Sequence, residues 1–111
     1  MQIPNSQQAY VPPEKLLDYL LSESHPVGRD KARWLARAGY SKANWKKLET
    51  DLLQIATSEH VAHESVSVHG TKYIIDGSIG ITTREPQAVR TVWIIDKGST
   101  SPRFITLYPV R

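Results

Sequence analysis

Along Ser65-Val66-Ser67-Val68-His69-Gly70-Thr71-Lys72-Tyr73-Ile74-Ile75 the chain settles into a period of two. Val66 and Val68 interleave with Ser65 and Ser67, and Tyr73 and Ile75 resume the alternation after a break at His69-Gly70. Alternation of this kind belongs to a strand with one face on a core. The break carries a glycine and reads as a hairpin turn between two strands. Toward the C-terminus the same period recurs. Ile79 and Ile81 extend the second strand, Val89, Thr91, Trp93 and Ile95 form a third, and Phe104, Thr106 and Tyr108 form a fourth. Arg84-Glu85-Pro86-Gln87 and Lys97-Gly98-Ser99-Thr100-Ser101-Pro102 read as the connections.

Toward the N-terminus the period becomes helical. Ser41 caps a helix over roughly 42–58, with Trp45, Leu48, Leu52, Ile55 and Ala56 on one stripe. A shorter helix is expected from Asp30, as N-cap, to a stop at Gly39. Its apolar face is Trp34, Leu35 and Ala38. Lys31 lies three and four positions before Trp34 and Leu35, so it shares that face, while Arg33 and Arg37 point away. Pro12-Pro13-Glu14 opens a first helix over roughly 13–22, with Leu16, Leu17, Leu20 and Leu21 at helical spacing. Pro26 pushes His25 out of helix, and Gly28 permits a sharp turn. Residues 1–11 read as a flexible arm. Helices followed by strands argue a single α+β domain over 12–111: three helices on one face of a roughly four-stranded antiparallel sheet, the other face partly free.

At 111 residues the chain is one domain, large enough to bury a core without staples. It has no cysteine, which excludes disulfides, thiolate metal sites and thiol nucleophiles. No apolar run is long enough for a membrane span, and Met1 to Gln8 is uncharged, unlike a secretory signal. The cytoplasm is the expected compartment. The net charge of +3 is concentrated: Arg29 to Lys47 holds seven cations against Asp30 alone. That region suits an anionic partner.

No metal, phosphate-loop or serine-hydrolase motif is present. His60 and His63 are three apart, which on an extended segment sends them to opposite faces, and no acid or cysteine completes a site, so no metal and no cofactor is expected. What remains is a metal-free set suited to RNA cleavage. That reaction needs a base for the 2′-hydroxyl, an acid for the leaving 5′-oxygen, and cations for the charge growing on the phosphate. His25, Lys31, Arg90, Thr91 and Tyr108 can fill these places, and Arg29, Arg33 and Lys72 can track the RNA backbone. Each has a plainer reading. His25 is a turn or cap histidine, Lys31 and the other helix cations are a solvated face, Arg90 pairs with Asp76 or Asp96, and Tyr108 closes the core. Thr91 neighbours Arg90 on a strand, so the two face opposite sides unless a bulge intervenes.

Leu16-Leu17-Asp18-Tyr19-Leu20-Leu21, His25-Pro26-Val27-Gly28-Arg29-Asp30-Lys31-Ala32-Arg33-Trp34, Gly70-Thr71-Lys72-Tyr73, Val89-Arg90-Thr91-Val92-Trp93-Ile94-Ile95-Asp96 and Tyr108-Pro109 together resemble a family of small uncharacterised bacterial proteins. Members of that family occur alone, beside small partner proteins, or as modules of polymorphic toxins and phage-type proteins. The order of elements is also similar to the barnase, EndoU, colicin and RelE group of ribonuclease folds. These resemblances imply a metal-independent ribonuclease toxin, its site on the open sheet face, with a small cognate antitoxin or immunity protein as partner. The chain departs from EndoU-like sites in lacking a second well-placed histidine on a strand. The competing expectation is a non-catalytic protein- or RNA-binding module, an antitoxin, immunity or phage accessory protein.

Overall fold

The computed structural model describes residues 1–80 and 86–110. Ile81, Arg84 and Glu85, read above as strand end and connection, lie outside the described residues. Helix α1 (Pro13–Lys15) runs directly into a π-helical segment (Leu16–Leu20). Helix α2 is Arg29–Arg37, and a 3-10 turn (Lys42–Asn44) leads into α3 (Trp45–Ser58). Four strands follow: β1 (Val61–Ser67), β2 (Gly70–Ile79), β3 (Gln87–Asp96) and β4 (Arg103–Pro109). They form an antiparallel meander in the order β1-β2-β3-β4. This is the α+β architecture read from the sequence.

The alternating residues of β2 and β3 do what their period dictates. Tyr73, Ile75, Val89, Thr91 and Trp93 are buried on one sheet face. Leu16, Leu20, Leu35, Leu48, Leu52 and Ile55 complete that core from the helices. Trp93 and Phe104 meet edge to face, their centroids 5.3 Å apart. Gly77 lets α3 approach: a Cβ there would stand 2.8 Å from Ile55 Cγ1.

Strand β4 departs from simple alternation. Val92 pairs with Thr106 but Trp93 with Phe104, so Ile105 is an extra residue, a β-bulge. Phe104 and Leu107, three apart, are both fully buried. Without the bulge an odd spacing would put them on opposite faces. Phe104, Thr106 and Tyr108, expected on one face, are therefore divided: Phe104 enters the core, while Thr106 and Tyr108 follow Val92 and Arg90 onto the opposite face.

Residues 1–11, expected as a flexible arm, are seated on the domain. Ile3 and Val11 are buried. Tyr10 N donates to Pro102 O at 2.9 Å, and Phe104 N donates to Tyr10 O at 3.0 Å, so the segment covers part of the outer edge of β4. Two apolar side chains within a polar run gave no period to read. Helix α2 also starts earlier than expected: Arg29 opens it, and Asp30 lies inside its first turn. Its end at Gly39, with φ of 103°, is as read. Among the described residues no helix is long and apolar enough to cross a membrane.

Candidate functional site

His25 organises the turn between the first two helices. Its Nδ1 accepts hydrogen bonds from Val27 N and Gly28 N, both at 3.0 Å. Gly28 is buried beneath Tyr19, where any Cβ would overlap the Tyr19 carbonyl and stand 2.9 Å from Tyr19 Cδ1. Ala32 N then donates to Gly28 O at 2.8 Å, the first regular bond of α2. One turn of helix after Gly28, Lys31 leaves the same face and projects back over Tyr19. The spacing His-Pro-x-Gly-x-x-Lys-Ala is the geometry of this fold-back.

Three polar atoms meet there. Lys31 Nζ donates to Tyr19 Oη at 2.8 Å and to Thr106 Oγ1 at 3.0 Å, and the two hydroxyls lie 3.1 Å apart. Lys31 Nζ also stands 4.7 Å from the centroid of the Tyr108 ring, a cation–π approach. The Tyr19 ring packs edge-on against His25, with centroids 5.1 Å apart. Burial pushes the Tyr19 hydroxyl up, but the hydrogen bonds with Lys31 and Thr106 and the charges of Lys31 and Lys15 outweigh it and hold the phenol below the usual tyrosine range. The β4 bulge brings Thr106 to this point, and the π-helical segment carries Tyr19. Single π turns of this sort recur at functional sites.

The residues read from sequence divide accordingly. Lys31 and Tyr108 come together, with His25 beside them across Tyr19. Arg90 lies on the same sheet face as Tyr108, its Cα partner in the register. Its Nε and Nη2 are committed to Asp76 at 2.8 and 3.0 Å. That hydrogen-bonded pair holds the Asp76 carboxyl below the usual carboxylate range, against a smaller opposing effect of burial. Lys72 is exposed on the same face, two strands from Thr106, and Arg29 and Arg33 are exposed along α2, Arg33 within 3.8 Å of Asp30. None of these three reaches the cluster.

Thr91 is not brought to it either. It is fully buried, donates to Ile75 O at 2.7 Å and accepts from Trp93 Nε1 at 2.8 Å. Thr91→Val leaves that indole N–H without its acceptor, and we expect a loss of about 1–3 kcal/mol in urea unfolding.

Tyr19 and Thr106 are the residues that sequence reading missed. Tyr19 is separated from Lys31 by 12 positions and from Thr106 by 87. Among the described residues no group of three or more His, Cys, Asp or Glu is placed to hold a metal. His25→Ala removes the acceptor for two turn N–H groups, and a cost of about 0.5–2 kcal/mol is expected from the shift of the urea midpoint.

Residues 2–111 match the model of a family described as Domain of unknown function (DUF6883). No curated protein matches the chain. Among solved structures it is similar to a chain from a contact-dependent growth inhibition toxin - immunity protein complex from Klebsiella pneumoniae 342. That likeness has a TM-score of 0.74 and 19% identity, over 96% of this chain and 97% of that one. At such identity the likeness is one of fold.

Proposed function

We propose, for a chain that belongs to the DUF6883 family, a metal-independent endoribonuclease of the bacterial toxin type, checked by a small cognate immunity or antitoxin protein. The observation that carries this reading is the cluster of Lys31 Nζ, Tyr19 Oη and Thr106 Oγ1. An ammonium group has three N–H donors. Two are used within the cluster, and the third is available for a phosphate oxygen. A cation held in place by two hydroxyls is the preorganised charge that phosphoryl chemistry needs, because it stabilises the developing anion without reorganising. Tyr108, 45% exposed and packed against that cation, offers a ring on which an unpaired base can stack. Arg90, Lys72, Arg29 and Arg33 supply the wider electrostatic attraction to a backbone.

His25 takes a narrower role than the sequence suggested. A ring whose Nδ1 accepts two N–H bonds carries its proton on Nε2 when neutral. In that state Nε2–H is the ring's free donor, and the Nδ1 lone pair is engaged by the turn. In this reading His25 positions Lys31 and offers Nε2–H to the RNA. Action on RNA places the toxin's work in the cytoplasm. Support for a toxin setting comes from the fold likeness to a chain of a toxin–immunity complex.

A second reading is favoured by two of the same contacts. His25 is occupied in holding a turn, and Arg90 is neutralised by Asp76. A non-catalytic binding module, an immunity or antitoxin protein, needs nothing more from either. Incubation of the purified protein with total RNA in EDTA separates the two. The ribonuclease reading expects fragmentation; salt-sensitive binding of intact RNA, or no interaction, gives the module reading precedence.

A further inference from the structure

We propose that Tyr19 is the catalytic base of this site and that Lys31, hydrogen-bonded to it, is the acid that closes the proton cycle. The inference deepens the ribonuclease reading and rests on it. It starts from a gap. A metal-free cleavage needs two proton-transferring groups. His25 has its Nδ1 lone pair engaged by Val27 N and Gly28 N. Asp76 and Asp96 are engaged by Arg90 and Arg103. Among the described residues no carboxylate lies in hydrogen-bonding or ion-pair contact with Lys31 or Tyr19. The titratable groups joined by the cluster's hydrogen bonds are therefore the Tyr19 phenol and the Lys31 ammonium.

Their arrangement supplies both steps. The Tyr19 phenolate accepts from Lys31 and Thr106, and takes the proton of the ribose 2′-hydroxyl. The 2′-oxygen attacks the phosphorus, the bond from phosphorus to the 5′-oxygen breaks, and a 2′,3′-cyclic phosphate forms. The departing 5′-oxygen takes a proton from Lys31 Nζ. The protonated Tyr19 then returns its proton to Lys31 along the 2.8 Å hydrogen bond, which restores phenolate and ammonium. No proton is gained or lost over the cycle, and no second histidine is required. The substrate class follows: RNA with a free 2′-hydroxyl at the cleaved position, and not DNA. The titratable and charged groups facing Tyr19 are Lys15 on its own helical segment, His25 in the turn and Lys31 on α2, with Tyr108 of β4 on the far side of Lys31. The cations Lys15 and Lys31 favour the phenolate, in keeping with its hydroxyl lying below the usual tyrosine range.

Tyr19→Phe keeps the ring that covers Gly28 and abuts His25 and removes only Oη. Cleavage of an oligoribonucleotide is expected to fall by about 100-fold or more. The melting temperature should stay within about 5 °C of wild type. In wild type the logarithm of the rate should rise with pH and level off below about 10, the ordinary tyrosine value. In Tyr19→Phe that rise should disappear, a change that a structural role would not produce. If wild type cleaves, and Tyr19→Phe cleaves within about threefold of it with the same pH profile, the inference falls and the ribonuclease reading stands. If wild type leaves the RNA intact, the reading falls and takes the inference with it.

Discussion

Lys31→Met is expected to lower RNA cleavage by about 10²–10³-fold while the protein keeps its fold. Methionine retains most of the apolar stem and the helix propensity of lysine, and deletes the charge. The two hydroxyls left behind remain paired, since Tyr19 Oη and Thr106 Oγ1 lie 3.1 Å apart. No polar group is thereby orphaned, and the melting temperature should change little. In the ribonuclease reading, the chemistry then loses its cation at the phosphate and the donor to Tyr19 at once. Initial rates at fixed salt, measured beside a circular-dichroism melt, check the expectation. Salt must be held constant because removal of any cation also weakens backbone attraction. A variant that folds and cleaves within severalfold of wild type would remove Lys31 from the site.

Gly28→Val is expected to act in the opposite way, through the fold. Space at Gly28 is closed by backbone: a Cβ would overlap the Tyr19 carbonyl and press on Tyr19 Cδ1 at 2.9 Å. Neither the π-helical segment nor the start of α2 can move aside without losing hydrogen bonds, among them Ala32 N to Gly28 O at 2.8 Å. Overpacking of side chains alone costs about 1–3 kcal/mol, and a clash against backbone lies at or above the top of that range. A domain with about 5–15 kcal/mol of stability is left marginal. Urea unfolding should show a midpoint shift of that size with an unchanged slope. Gly28→Ala should be milder but still destabilising. A Gly28→Val protein with wild-type stability would mean that Tyr19 and α2 are not packed as described.

The two variants separate what the His-Pro-x-Gly-x-x-Lys-Ala segment does. His25 and Gly28 shape the fold-back, and Lys31 is the group delivered by it. How much of this was legible in the sequence depended on the range of the interaction. The inward face of Lys31 followed from counting back from Trp34 and Leu35, because helical geometry is local. The sheet and its order followed from period-two runs separated by turns. The bulge at Ile105 did not follow: Phe104, Thr106 and Tyr108 alternate well on paper, and only the pairing of Leu107 with Thr91 in the core divides them. The π-helical turn at Leu16–Leu20 likewise leaves no mark in a leucine pattern that suits an α-helix equally well. Those two irregularities carry Thr106 and Tyr19 to Lys31. The site was half legible for that reason, its long-range half being set by register rather than by period. The hydrogen-bonding use of His25 is the plainer of its two sequence readings, a turn or cap histidine, and it limits the acid–base role that its residue type suggests.

The central claim is that this cluster cleaves RNA without a metal. The most direct measurement is mass analysis of the products from a defined oligoribonucleotide incubated with the purified protein in EDTA, beside the same oligonucleotide carrying a 2′-deoxyribose at the cleaved position. The account predicts fragments ending in 2′,3′-cyclic phosphate and beginning with 5′-hydroxyl, and no cleavage at the deoxy position. Intact RNA after incubation with the folded protein, or equal cleavage at the deoxy position, would contradict it.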